Sequence, residues 1–457
     1  MIEIARGPRR LLLTGTAVLM FLALPREASA HGIGGRSDLP LPLEYFLVAA
    51  LVVLLASFGL LAVAWPRPRL QGGPRWRGTG WLPPEWLTIV LRWVGVTGLA
   101  LVVTAGLLDG GQGGNLGPIV VWVVFWLVIP FAAVATGNLW QVLNPWRAIG
   151  GLIRSEGPDG PGRLGVWPAA FALLAFVWLE LIHPGSGDPA TLAWAALFYT
   201  GYLALWTRVT GVSRAMASAD AFTVYHRLFS GIAPFGRDAE GRVRYRGWLR
   251  GLVALPEWPG LAFFANAAIG SVTYDGLAGT PFWDDMGFAL VGSAQHAIWF
   301  TTISLLIVVA LVHLAYLGAC RWAARAANTP GLRTTEVAAS FAHTLVPIAV
   351  AYAFAHYFTL IAFEGQSLLA AFSDPFARGW DLFGTADFSP DFTWLPPVAV
   401  WWVQLIVILI GHLVAVTLAH DRALARLPGG DSVRSQYAMV ALMGLLTCTG
   451  LTVLAVA

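Results

Sequence analysis

Long apolar blocks, each able to cross a bilayer as a helix, restrict this chain more than any other feature. The runs Leu43 to Trp65, Trp86 to Leu108, Gln295 to Trp322 and Pro397 to Ala419 meet the length a hydrocarbon core demands, roughly 20 residues of helix. Within lipid, backbone amides must be satisfied internally, which leaves helices or a closed barrel. A barrel would show short alternating segments, and none is evident. Of 457 residues, 57% are hydrophobic and 12% charged, outside the range of soluble globular domains. The expectation is therefore an all-α polytopic membrane protein with about ten spans. The remaining spans fall near Pro118–Thr136, Val166–Ile182, Ala190–Thr207, Pro259–Tyr274, Glu336–Phe363 and from Tyr437 onward. No internal repeat appears, so 31–457 reads as a single domain.

The first thirty residues have the layout of a signal peptide. Arg6, Arg9 and Arg10 precede an apolar run from Leu11 to Leu24, Pro25 breaks it, and Ala28 and Ala30 suit a signal peptidase. Cleavage after Ala30 would leave His31 at the mature N-terminus, where α-amine and imidazole together can chelate a metal. With His31 outside, arginines concentrate on the inner loops, as the positive-inside rule requires. The richest inner loop, about 209–258, carries Arg208, Arg214, Arg227, Arg237, Arg242, Arg244, Arg246 and Arg250. Its run from Arg242 to Arg250 reads as a cytoplasmic-face anchor for anionic lipid. The outer connections are acidic and aromatic instead, with Asp109, Asp188, Asp275, Asp374, Asp381, Asp387 and Trp380. A formal net charge of +3 gives no footing for nucleic acid. Cys320 and Cys448 lie apart in apolar stretches, without CxxC spacing, so neither a disulfide framework nor a thiolate metal site is expected.

Ionisable groups inside spans are costly and mark functional positions. One set collects near the outer ends: Glu180 and His183, Asp275, His296, and His356 with Glu364. Glu180 and His183 are three residues apart and project from one helix face, while His356 and Glu364 are separated by about 80° around the helix. Histidines and carboxylates at one depth suit a divalent ion, zinc or copper. The proposed ligands are His31, His183, His296, His356 and Asp275, with Glu180 or Glu364 as general base. A second set, His313, His343, His412 and His420, lies deeper. Asn138 and Asn144, in Gly-Asn-Leu-Trp and Asn-Pro-Trp, read as a helix-end motif.

Several strings together resemble a known family. They are His31-Gly32-Ile33-Gly34-Gly35-Arg36 with Asp38-Leu39-Pro40, Ser271-Val272-Thr273-Tyr274-Asp275-Gly276-Leu277, and Ala355-His356-Tyr357. Gly379-Trp380-Asp381-Leu382-Phe383-Gly384, Leu418-Ala419-His420-Asp421-Arg422-Ala423 and Arg434-Ser435-Gln436-Tyr437 belong with them. From about His31 to the C-terminus the chain resembles the bacterial integral-membrane proteins called fenitrothion hydrolases. The resemblance implies a multi-pass protein of the bacterial cytoplasmic membrane that hydrolyses organophosphorus triesters, lipophilic substrates that partition into the bilayer. It carries no established catalytic set. Two other readings stand beside it. Metal-ion handling predicts a ladder of ligands reaching His412 and His420, with His343 and His356 separated by about 20 Å of helix rise. A non-catalytic membrane partner would use its polar residues for packing alone.

Overall fold

The computed structural model describes residues 40–112, 114–292, 297–327, 329–427 and 433–456. The stretch 1–30 expected to be a signal peptide, His31 and His296 lie outside the described residues. In chain order the helices used below are α1 (Leu43–Ala64), α2 (Glu85–Leu107), α3 (Leu116–Thr136), α4 (Pro145–Ile153), α5 (Trp167–Leu181), α6 (Pro189–Thr210) and α7 (Val212–Ser218). There follow α8 (Ala221–Ser230), α9 (Leu261–Ala278), α10 (Pro281–Val291), α11 (Ile298–Ala326), α12 (Thr334–Ala362), α13 (Pro397–Arg426) and α14 (Tyr437–Val456).

The chain is mostly helical, and among the described residues seven helices are long and apolar enough to cross a membrane: α1, α2, α3, α11, α12, α13 and α14. The other three expected spans also form helices, α5 of 15 residues, α6 of 22 and α9 of 18, but fall short in length or apolarity. Their setting explains this for α9, whose Ala, Gly, Asn266 and Ser271 side chains are buried among neighbouring helices. Such a helix is shielded from lipid and can carry polar groups. Gly270 lets it lie close to α11, since a Cβ there would fall 2.9 Å from Val309 Cα. By contrast, α1, α2, α11 and α13 turn Val48, Leu60, Trp93, Leu311 and Ile410 outward. Apolar surface of that extent belongs to a lipid-facing exterior.

The stretch 209–258 is folded rather than an open loop. Helix α8 is buried on nearly every side. Phe222 packs on Phe125 of α3 at 4.4 Å and on Phe176 of α5 at 5.0 Å, both well inside those helices, and Phe229 meets Phe131 at 6.0 Å. Asp220 caps it and accepts from Asn144 Nδ2, Tyr199 OH and Thr223 Oγ1 at 2.6–2.7 Å, so every charge-bearing oxygen in this buried corner has a donor. Beyond α8 the chain makes the strands β2 (Phe235–Arg237) and β3 (Val243–Tyr245), and β3 also pairs antiparallel with β1 (Arg77–Trp81). This small sheet departs from the expected all-helical plan. Its hairpin turn is closed by Gly241 at φ 79°, a left-handed position that glycine occupies without steric cost.

The arginines read as a lipid anchor also fasten this end of the fold. Arg242 and Arg244 pair with Asp238 at 2.9 and 3.4 Å, and Arg250 donates to the carbonyls of Leu70 and Arg69. Asp421 accepts from Trp65, Arg69, Leu70 and Gln71, while His420 reaches Gln436 and the Trp65 carbonyl. His420 and Asp421 thus clamp the turn after α1, while Arg422 donates to the Val253 carbonyl.

Candidate functional site

Helices α5, α9 and α12 end at the face opposite the arginine clamps, and each brings one ionisable side chain close to that end. Glu180 comes from the last turn of α5, Asp275 from the last turns of α9, and His356 from the final third of α12. The His356 imidazole Nε2 lies 2.7 Å from Asp275 Oδ2, and the Tyr357 hydroxyl donates to the same oxygen at 3.2 Å. Tyr357 also faces Glu180, so the two carboxyls flank one phenol and act on each other electrostatically. Trp126 Nε1 donates to Glu180 Oε1 at 3.0 Å. Glu180 Oε2 is buried with no hydrogen-bond partner among the described residues.

Local structure explains how these groups meet. Val120–Val128 of α3 is π-helical, a widened turn often found at functional sites, and it carries Trp126. Tyr225 of α8 stacks on the Trp126 ring at 4.8 Å, holding the indole toward Glu180. Gly276, next to Asp275, allows α14 to approach, because a Cβ there would come 2.0 Å from Val453 Cγ1. Consecutive residues His356 and Tyr357 point their rings at right angles, 4.9 Å apart, and both reach Asp275. A small void of about 20 Å³ borders His356, Thr273 and Tyr352, room for one water molecule.

Of the residues singled out in the sequence, Glu180, Asp275 and His356 come together. His183 serves its own turn: its Nδ1 accepts from Gly185 N at 3.0 Å, and its ring meets Trp178. Glu364 opens a short 3-10 turn beyond the end of α12 and has no hydrogen bond or ion pair with the cluster. Among the described residues no group of three or more His, Cys, Asp or Glu side chains is gathered as a metal ion needs. Both cysteines are unpaired. Asn138 and Asn144 do accept backbone hydrogen bonds, from Gln141 N and Arg147 N, as helix-start residues do.

Tyr357, Trp126 and Tyr225 were not distinguishable in the sequence from the many aromatics that line spans. Buried His226 belongs to neither set of histidines in the spans; its Nδ1 bonds the Phe222 carbonyl and its ring stacks on Trp140. Farther along the bundle, Tyr352 stands 5.7 Å from His412. The Nε2 atoms of His412 and His343 are buried without a partner, while their Nδ1 atoms bond backbone carbonyls.

A second cavity, about 1040 Å³ and almost wholly apolar, opens between α2, α3, α5 and α6. Its wall includes Trp178 and Leu179, the residues just before Glu180, yet none of the clustered acid–base groups lines it. The molecule is thus a helical bundle of membrane type with a half-buried carboxylate–imidazole–phenol centre. No protein-family model, curated protein or solved structure matches the chain.

Proposed function

We propose that the Asp275–His356 pair, with Tyr357 and Glu180, is the acid–base centre of a membrane-embedded hydrolase acting on lipophilic neutral esters, organophosphorus triesters among them. The observation that carries this reading is the 2.7 Å contact of His356 Nε2 with Asp275 beside a void that fits one water. A carboxylate on one ring nitrogen fixes the tautomer and leaves Nδ1 as proton acceptor. In the proposed step His356 takes a proton from water, and the oxygen attacks phosphorus opposite the aryl ester. The P–O bond breaks with its electron pair on the departing phenolate, which then takes up a proton. Glu180 Oε2 supplies a second buried acceptor.

The test uses the purified full-length chain in lipid nanodiscs with a phosphotriester that releases nitrophenol. General acid–base catalysis is worth roughly 10²–10⁴-fold, so His356→Gln and Asp275→Asn should each lower kcat by about a hundredfold at an unchanged melting temperature. Turnover equal to wild type in both variants overturns the reading. Metal assistance needs His31 or His296 as further donors to His356 and Asp275. Metal analysis of the intact protein, with a chelator arm in the same assay, decides that part.

Metal-ion handling has its own support in the unpartnered Nε2 atoms of His412 and His343, which continue the polar line past Tyr352. It requires ion uptake into proteoliposomes that His412→Leu abolishes while ester hydrolysis persists.

A further inference from the structure

At the arginine-rich end a third cavity, about 890 Å³, is enclosed by the start of α2, the turn after α3, helix α8 and the β2–β3 hairpin. Its charged lining is unbalanced once existing pairs are counted. Asp238 is held by Arg242 and Arg244, and Arg147 is held by Glu156. That leaves Arg227, Arg237 and Arg246 on the lining against the single carboxylate of Asp159. None of the three has a carboxylate partner among the described residues. Arg227 lies over the Trp258 ring at 4.3 Å, Arg237 donates to the Gly241 carbonyl, and Arg246 donates to the carbonyls of Ala233 and Ser230.

These guanidiniums are placed, not free-swinging. Arg246 threads between two glycines: a Cβ at Gly251 would fall 2.4 Å from its Cζ, and one at Gly236 2.9 Å from its Cδ. Burial pushes all three below the ordinary guanidinium range, a cost that an anion in the cavity would offset. Three fixed guanidiniums around one space match the oxygens of a phosphate group better than a single carboxylate. Trp81 and Leu91 on the same lining add an apolar wall.

We propose that this cavity binds a phosphate-bearing ligand, with Arg227, Arg237 and Arg246 as its phosphate contacts. The phosphate belongs either to a small soluble anion or to a lipid headgroup, and the site is independent of the acid–base centre.

Calorimetric titration of the full-length chain in a non-ionic detergent tests this, with inorganic phosphate and short-chain phosphatidic acid as separate probes. At least one probe should bind wild type. The double variant Arg227→Gln/Arg237→Gln should weaken that binding roughly tenfold or more, while Arg163→Gln, exposed and off the cavity, leaves it unchanged. Binding of inorganic phosphate identifies a soluble anion site, and binding of the lipid alone identifies a headgroup site. Should the double variant not fold, wild type still decides: the effective probe should protect Arg227 and Arg237, but not Arg163, from phenylglyoxal. Binding by neither probe, equal binding to the folded double variant, or no selective protection overturns the proposal.

Discussion

Within the centre, Glu180 depends on a single donor at a single atom. Glu180 has one side-chain hydrogen bond at Oε1, from Trp126, and none at Oε2, so removing the indole leaves a carboxyl with only the shared Tyr357 hydroxyl nearby. Trp126→Phe keeps the ring that stacks on Tyr225 but deletes the N–H. It should destabilise the protein by about 1–2 kcal/mol, read as lowered thermal stability in detergent. Adding Glu180→Gln should return part of that loss, because an amide tolerates the unpaired position better than a carboxyl; a purely additive pair of effects would show that the contact is energetically idle. Residue type alone drew attention to Glu180, Asp275 and His356, since an ionisable group in an apolar run is conspicuous. It drew equal attention to His183, whose Nδ1 merely closes its own turn on Gly185. Nothing local separates these two histidines; the difference lies in which helix each meets.

At the level of elements, close approach of helices sets the depth at which side chains meet. The α12–α13 contact runs through Gly411, where a Cβ would come 2.3 Å from Ala351 Cβ and 2.8 Å from the Pro347 carbonyl. Gly411→Ala therefore forces the helices apart and should cost about 1–3 kcal/mol by overpacking. Because α12 carries His356 and Tyr357, the same change should reduce ester turnover, and Ala351→Gly in that background, which removes the closer clash but leaves the Pro347 carbonyl, should recover part of the rate. Unaltered stability in Gly411→Ala would mean that the contact relaxes freely. Helix α8 shows the limit of reading elements singly. Its Phe222, Tyr225 and Phe229 look like one apolar face of a surface helix, but they insert between α3 and α5 and bring Tyr225 to Trp126. The π-helical stretch of α3 has no signature in a sequence as uniformly apolar as Val120–Val128.

Across the whole molecule, charge is sorted to one end. Arginine clamps, the small sheet and the three-arginine cavity share a face, and Asp275, Glu180 and His356 lie toward the other. The expectation from the positive-inside rule is an arginine face on the cytoplasmic side. In cells, single cysteines replacing the exposed Arg163 and Asp387 should therefore respond oppositely to a membrane-impermeant thiol reagent: Asp387→Cys labelled from outside, Arg163→Cys only after lysis. The reverse pattern would invert the molecule. Both native cysteines are at least partly buried, which keeps the background low.

The sequence by itself determined the class of fold, because apolar length and the need to satisfy backbone amides leave little choice but helices. It also determined that most charge lies at span ends and in the connections, since charge is excluded from the apolar blocks. It also narrowed the reactive candidates to the few ionisable groups close to span ends. Only the tertiary structure decided which of these meet. Asp275 and His356 are 81 positions apart, and their contact follows from how α9 and α12 pack, a non-local matter that no periodicity records. The same holds for the three arginines around one cavity. In the chain they read as a basic loop, and folding places Arg237 and Arg246 on backbone carbonyls and Arg227 on the Trp258 ring, with no carboxylate partner among the described residues.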